Sequence, residues 1–164
     1  MIRVLLADDH DFIRSMLVDL LSASEDISVV AECSDGDEVV AAAERSDPDV
    51  FILDLAMPRL SGLQAARAVL SVRPDARIIL LTANLTVAAV KEAQEIGLAG
   101  YLLKGQDPDD LVRHVRTVAA GGTAWGDEAL ATIPHQGHIS TSEHDSSDHG
   151  ERRHGEGLPM TAPI

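Results

Sequence analysis

Apolar runs of about five residues recur along the first 125 positions, separated by longer stretches of mixed character. The runs are Ile2–Ala7, Ile27–Ala31, Val50–Leu53, Arg77–Leu81 and Gly100–Leu103. Short, nearly unbroken apolar runs are what strands need when a parallel sheet buries them on both faces. The intervening stretches carry apolar residues at helical spacing instead. Phe12, Met16, Leu17, Leu20 and Leu21 fall on one face of Phe12–Leu21, and Leu111, Val115, Val118 and Ala119 on one face of Pro108–Ala120. Gly36–Arg45, Leu63–Val72 and Thr86–Ile96 repeat the pattern. Pro108 suits a first helical turn, and Gly97 and Gly121 sit where helices should stop. Strand and helix alternate five times, which predicts an α/β domain with right-handed crossovers: a single doubly wound, five-stranded parallel sheet with five flanking helices.

An open sheet of this kind binds its ligand beyond the carboxyl ends of its strands. Polar residues gather at those ends. Asp8 and Asp9 follow the first run, Asp54 ends the third, Thr82 the fourth and Lys104 the fifth. Three carboxylates brought together repel one another unless a cation lies among them. All-oxygen donors favour Mg²⁺ or Mn²⁺ over softer metals. A carboxylate beside such a cation, an ammonium and a hydroxyl is set up to accept a phosphoryl group, a step catalysed by positioning and charge neutralisation.

Composition bounds the remaining possibilities. Hydrophobic residues make up 45% and charged residues 24% of 164 positions, enough for a packed core. Net charge is −14. That opposes binding to a phosphate backbone or an anionic membrane. No apolar run reaches the roughly 18 residues of a transmembrane helix, and acids follow the first apolar stretch too soon for a signal peptide. The chain is expected to be cytoplasmic. The single cysteine, Cys33, excludes an intrachain disulfide and a cysteine zinc cluster, and reads as a small buried hydrophobe.

The character of the chain changes near Trp125. Beyond it come seven acids, two bases and five of the seven histidines, with no apolar period. Residues 123–164 are read as a linker remnant followed by an acidic, His- and Ser-rich disordered tail, with a short helical turn around 127–132. Irregular spacing makes the tail histidines a poor metal site.

The strand-end signatures resemble the receiver domain of bacterial two-component response regulators. They are VLLADDHDFIR at 4–14, DLAMPRLSG at 54–62, LLTA at 80–83 and GYLLK at 100–104. The resemblance covers residues 1–122 and implies a flavodoxin-like strand order, 2-1-3-4-5. It implies Asp54 as the phospho-accepting aspartate, and Asp8, Asp9, Asp54 and the Ala56 carbonyl as ligands of Mg²⁺. Thr82 resembles the family's switch hydroxyl, Lys104 its phosphoryl-pairing lysine and Tyr101 its aromatic switch. Tyr101 also fits a bland role as a half-buried cap of the sheet edge. A sensor histidine kinase or phosphotransfer protein is the implied donor. A downstream protein or a second copy would bind the face formed by the fourth helix, fifth strand and fifth helix. Only self-catalysed transfer and autodephosphorylation are implied, with no turnover of an external substrate.

ADDHDFIR and AAGGTAW (119–125) are similar to the NarL/FixJ-type subgroup, whose linker leads to a LuxR-type helix-turn-helix. No amphipathic, basic helical pattern follows Trp125 here, so direct DNA binding is not carried over. Two alternatives stay open: a phosphorylation-independent binding module, and a transcriptional regulator truncated before its DNA-binding domain.

Overall fold

The central apolar runs become strands because neither of their faces meets water. In the computed structural model, which describes residues 1–133, β3 (Val50–Asp54) and β4 (Ile78–Thr82) are buried at every position. They lie within a parallel sheet that also contains β1 (Ile2–Ala7), β2 (Ile27–Cys33) and β5 (Gly100–Leu103). The edge strand β2 is only partly covered, which fits its Ser28 and Glu32. A sixth, two-residue strand, β6 (Ala124–Trp125), extends the sheet, giving the order β2-β1-β3-β4-β5-β6.

The alternation of side chains along each strand sorts the core into two layers. Val4, Leu6, Ile52, Ile79, Leu81 and Leu102 face α1 (Asp11–Ser22) and α5 (Pro108–Ala119). Leu5, Phe51, Leu53, Ile78, Leu80 and Tyr101 face α2 (Val39–Ser46), α3 (Gly62–Val72) and α4 (Val87–Glu95). Each fully buried Leu, Ile or Val in these layers contributes about 1.5–3 kcal/mol. The helices start where side chains satisfy their free N–H groups. Ser61 and Gln64 form a capping box on α3, Thr86 caps α4, and Asp107 with Pro108 opens α5. Gly97 and Gly121 take positive φ angles of 81° and 95° just past α4 and α5, as their positions predicted.

The sheet differs from expectation at its far edge, where six strands stand in place of five. A two-residue strand carries no period and is invisible to pattern reading. Gly100 admits it, since a Cβ there would drive into the carbonyl oxygen of Ala124. The helical turn expected near 127–132 is α6 (Asp127–Thr132). Residues 123–133, assigned from sequence to a linker remnant, are thus continuous with the sheet and its packing. The tail reading and its histidines lie outside the described residues from 134 onward.

Because β1 lies between β2 and β3, the connections leaving β1 and β3 run to opposite faces. A crevice opens between the carboxyl ends of these two strands.

Candidate functional site

Asp8 stands one residue past β1 and is 1% exposed. Its Oδ1 accepts the His10 N–H at 2.9 Å and its Oδ2 accepts from Lys104 Nζ at 2.6 Å. Asp54, the last residue of β3, is 4% exposed. Its Oδ2 lies 3.2 Å from the same Lys104 Nζ, and its Oδ1 accepts the Ala56 N–H at 3.3 Å. Lys104 thus bridges two buried carboxylates from neighbouring strands. Asp9 completes the group. Its Oδ1 is buried and makes no hydrogen bond, although the His10 ring Nδ1 lies 3.1 Å away. Donor atoms of Asp8, Asp9, His10 and Asp54 all fall within 4.8 Å of one another.

The electrostatics follow from burial. Asp54 titrates above the ordinary aspartate value. Burial is the main cause and the Asp8 charge adds to it, while Lys104 and the Ala56 N–H act in the opposite sense. For Lys104, burial alone would favour the neutral amine. The hydrogen bond it donates to Asp8 and the charges of Asp54 and Asp8 outweigh it, so the ammonium titrates above its usual value. Three carboxylates against one ammonium leave the cluster short of positive charge. Its donors from Asp8, Asp9 and Asp54 are all oxygens, and one of them has no hydrogen-bonding partner. This chemistry fits a hard divalent cation.

Thr82 ends β4 and is 4% exposed. Its hydroxyl is turned onto its own loop, donating to the Asn84 carbonyl at 3.0 Å and accepting the Asn84 N–H at 3.3 Å. The Thr82 carbonyl accepts the Lys104 N–H at 2.7 Å, so the two residues are joined through the backbone. Tyr101 is fully buried, beyond the half-burial expected of an edge cap. Its hydroxyl has no hydrogen-bonding partner. Burial raises its pKa, and the Thr86 backbone acts in the opposite sense. Cys33 is buried, and that burial pushes its thiol up to about 11.

Sequence reading passed over Asp35. Its buried carboxylate accepts the N–H groups of Gly36 at 2.7 Å, Leu60 at 2.9 Å and Arg59 at 3.0 Å. Burial would raise its pKa, but these donors and the Arg59 charge hold it below the usual range. Asp35 therefore ties the turn that leads into α2 to the loop that follows Asp54. Part of this was legible, because Asp35 and Glu38 form a capping box. Gly62 closes the same loop. A Cβ there would drive into the Asp54 carbonyl oxygen.

Residues 4–116 match the response regulator receiver domain family. The uncharacterized transcriptional regulatory protein YxjL of Bacillus subtilis is 38% identical over 132 residues, covering 80% of this chain and 61% of that protein. The nitrate/nitrite response regulator NarL of Escherichia coli K12 is 36% identical over 130 residues, covering 79% of this chain and 60% of its own length. A crystal structure of a LuxR-family two-component response regulator from Aurantimonas sp. SI85-9A1 superposes with a TM-score of 0.76 at 30% identity. That match covers 80% of this chain and 94% of the other. The chain spans about three fifths of the length of the curated relatives it matches. No described helix is long and apolar enough to cross a membrane. With four strand ends delivering an acidic cluster, an ammonium and a hydroxyl to one edge, the chain belongs to the response regulator receiver domain family, the phospho-accepting module of two-component systems.

Proposed function

We propose that Asp54 is the phospho-acceptor of this receiver, that Asp8, Asp9, Asp54 and the Ala56 carbonyl hold Mg²⁺ beside it, and that Lys104, Thr82 and Tyr101 respond to the phosphoryl group. The observation that carries the proposal is the buried Lys104 ammonium, 2.6 Å from Asp8 and 3.2 Å from Asp54. It spans a negative cluster at the topological switch point, where a phosphate donor can approach from solvent.

Receiver domains take phosphoryl groups from histidine kinases or phosphotransfer proteins and serve as acceptors. A carboxylate oxygen of Asp54 attacks phosphorus, the bond from phosphorus to the donor nitrogen breaks, and that nitrogen keeps the electron pair and takes a proton from solvent. Lys104 is already within reach of the acceptor and can shift onto a phosphoryl oxygen as charge develops there. The cation, when bound, supplies positive charge against the phosphoryl oxygens. The Thr82 hydroxyl must leave Asn84 before it can donate to the new group. The surface made by α4, β5 and α5 is the one this change would alter for a downstream protein or a second copy. Direct DNA contact forms no part of the proposal, since acids outnumber bases two to one over residues 1–133.

Intact-mass spectrometry after incubation with acetyl phosphate and Mg²⁺ tests the reading. One added phosphoryl group, lost with Asp54→Asn and with EDTA, is the expected result. A folded chain that gains no mass from acetyl phosphate or from any histidine kinase would overturn it, and would favour a module that binds its partner without phosphorylation.

A further inference from the structure

The far edge of the sheet is closed by the chain itself. β6 pairs with β5, matching Gly100 to Ala124 and Tyr101 to Trp125. The Ala124 N–H donates to Ala99 O at 2.8 Å and the Gly126 N–H to Tyr101 O at 3.1 Å. Beyond the strand, α6 packs on α4. Ala129 is buried in the cluster that contains Tyr101, Val90 and Ala93, and Trp125 and Ile133 pack against that cluster. The exposed edge of β5 and the adjoining side of α4 are therefore an interaction surface that already has an occupant, residues 122–133.

This occupant touches the loop that follows Lys104 and the helix that follows the Thr82 loop. Lys104 follows β5 directly and bridges Asp8 and Asp54. Two residues later, Gln106 Nε2 donates to Glu128 Oε2 of α6 at 3.2 Å. Gly105 lies between them with φ of 84°, a hinge conformation that side chains resist. A cleft of about 370 Å³ lined by Gln106, His114, Trp125 and Gly126 leaves the loop room to move. The second element is the β4–α4 connection. Thr82 holds Asn84 on both its N–H and its carbonyl, and α4, against which α6 packs, begins three residues after Asn84. A group that draws Lys104 and Thr82 inward pulls on α6 from two sides. The exposed Gln106–Glu128 bond is weak by itself. The helix it steadies has only six residues, too few to persist without its packing.

We propose that β6–α6 is a latch on the β5 edge and α4, closed in the unmodified chain and released when Lys104 and Thr82 are drawn to a phosphoryl group on Asp54. The inference rests on the phospho-acceptor reading above. Release would bare the β5 edge and the apolar side of α4 together, so that the segment competes directly with any partner for that surface.

Hydrogen exchange of the full chain, read by mass spectrometry with intact mass followed in parallel, separates the two readings. Trp125 is the only tryptophan and gives a second signal through its fluorescence. In phosphorylated wild type, exchange over 124–132 is expected to accelerate about threefold or more while β1 and β3 stay protected, with Trp125 emission shifting to the red. Added mass without either change overturns the latch and leaves the phospho-acceptor intact. Gln106→Ala tests the latch without phosphorylation. Faster exchange over 127–132 in the unmodified variant supports it, and unchanged exchange overturns it. A chain that gains no mass refutes the phospho-acceptor reading and, with it, the release that rests on that reading. Gly100→Ala, which forces the Ala124 backbone away, provides the released reference state.

Discussion

Lys104 Nζ lies 2.6 Å from Asp8 Oδ2, with the lysine side chain 13% and the aspartate 1% exposed. The pair joins residues 96 positions apart and places the ammonium where it also meets Asp54. Removing one partner of a buried pair leaves the other charge unpaired, at a cost of about 3 kcal/mol. Lys104→Met keeps the apolar stem and should lower stability by that amount in EDTA, as read from the urea midpoint. Mg²⁺ should restore part of the loss, because a ligand that binds only the folded chain stabilises it. The same variant should bind Mg²⁺ more tightly than wild type, since the ammonium and the cation compete for the same carboxylates.

Asp54→Asn tests the burial of the proposed acceptor itself. A carboxyl whose folded pKa is raised favours folding while protonated, and that contribution is lost as the pH rises through the folded pKa. Burial raises Asp54. At neutral pH without metal, Asp54→Asn should therefore be more stable than wild type. The advantage should shrink as the pH falls and Asp54 takes up its proton. A wild type that proves the more stable at pH 7 would show that the Lys104 contact outweighs burial.

Asp9 has a different balance. Its Oδ1 is buried without a hydrogen bond, so Asp9→Asn removes charge from a group that supports little of the fold. The variant should keep or slightly raise its unfolding midpoint in EDTA. Its Mg²⁺ affinity should fall by at least about tenfold, the smaller of the effects seen when even an outer partner of a metal site is lost. A urea melt in EDTA measures the first term, and calorimetric titration of EDTA-free protein with Mg²⁺ the second.

Asp35 should act on the site from a distance. Asp35→Ala leaves the N–H groups of Gly36, Arg59 and Leu60 without their acceptor, for a loss of about 2 kcal/mol. The folded pKa of Asp35 is lowered, so its contribution is present above the unfolded value and disappears as the pH falls through the folded value. The gap between wild type and variant should close below about pH 4, where carboxylates protonate. Phosphorylation should slow at neutral pH, because the loop after Asp54 loses its tie. A variant with the normal phosphorylation rate would limit Asp35 to stability.

Much of this was legible in the amino-acid order. Near-continuous apolar runs can be satisfied only between two helical layers, so the strands from Ile2–Ala7 through Gly100–Leu103 and their alternation with helices could be read directly. The rule that ligands gather at strand carboxyl ends then brought Asp8, Asp9, Asp54, Thr82 and Lys104 to one edge. Local pattern settles these features because each strand carries its own burial signature. Contacts between distant segments carry none. Only the fold decided that one ammonium serves both Asp8 and Asp54, that Thr82 is turned onto Asn84, and that Asp35 steadies a loop 24 residues further on. Only the fold decided, too, that Ala124–Trp125 forms a sixth strand and that Tyr101 is wholly buried. Two residues are too few to show a period, and the approach depends on the missing side chain of Gly100, whose meaning appears only when the Ala124 backbone lies against it.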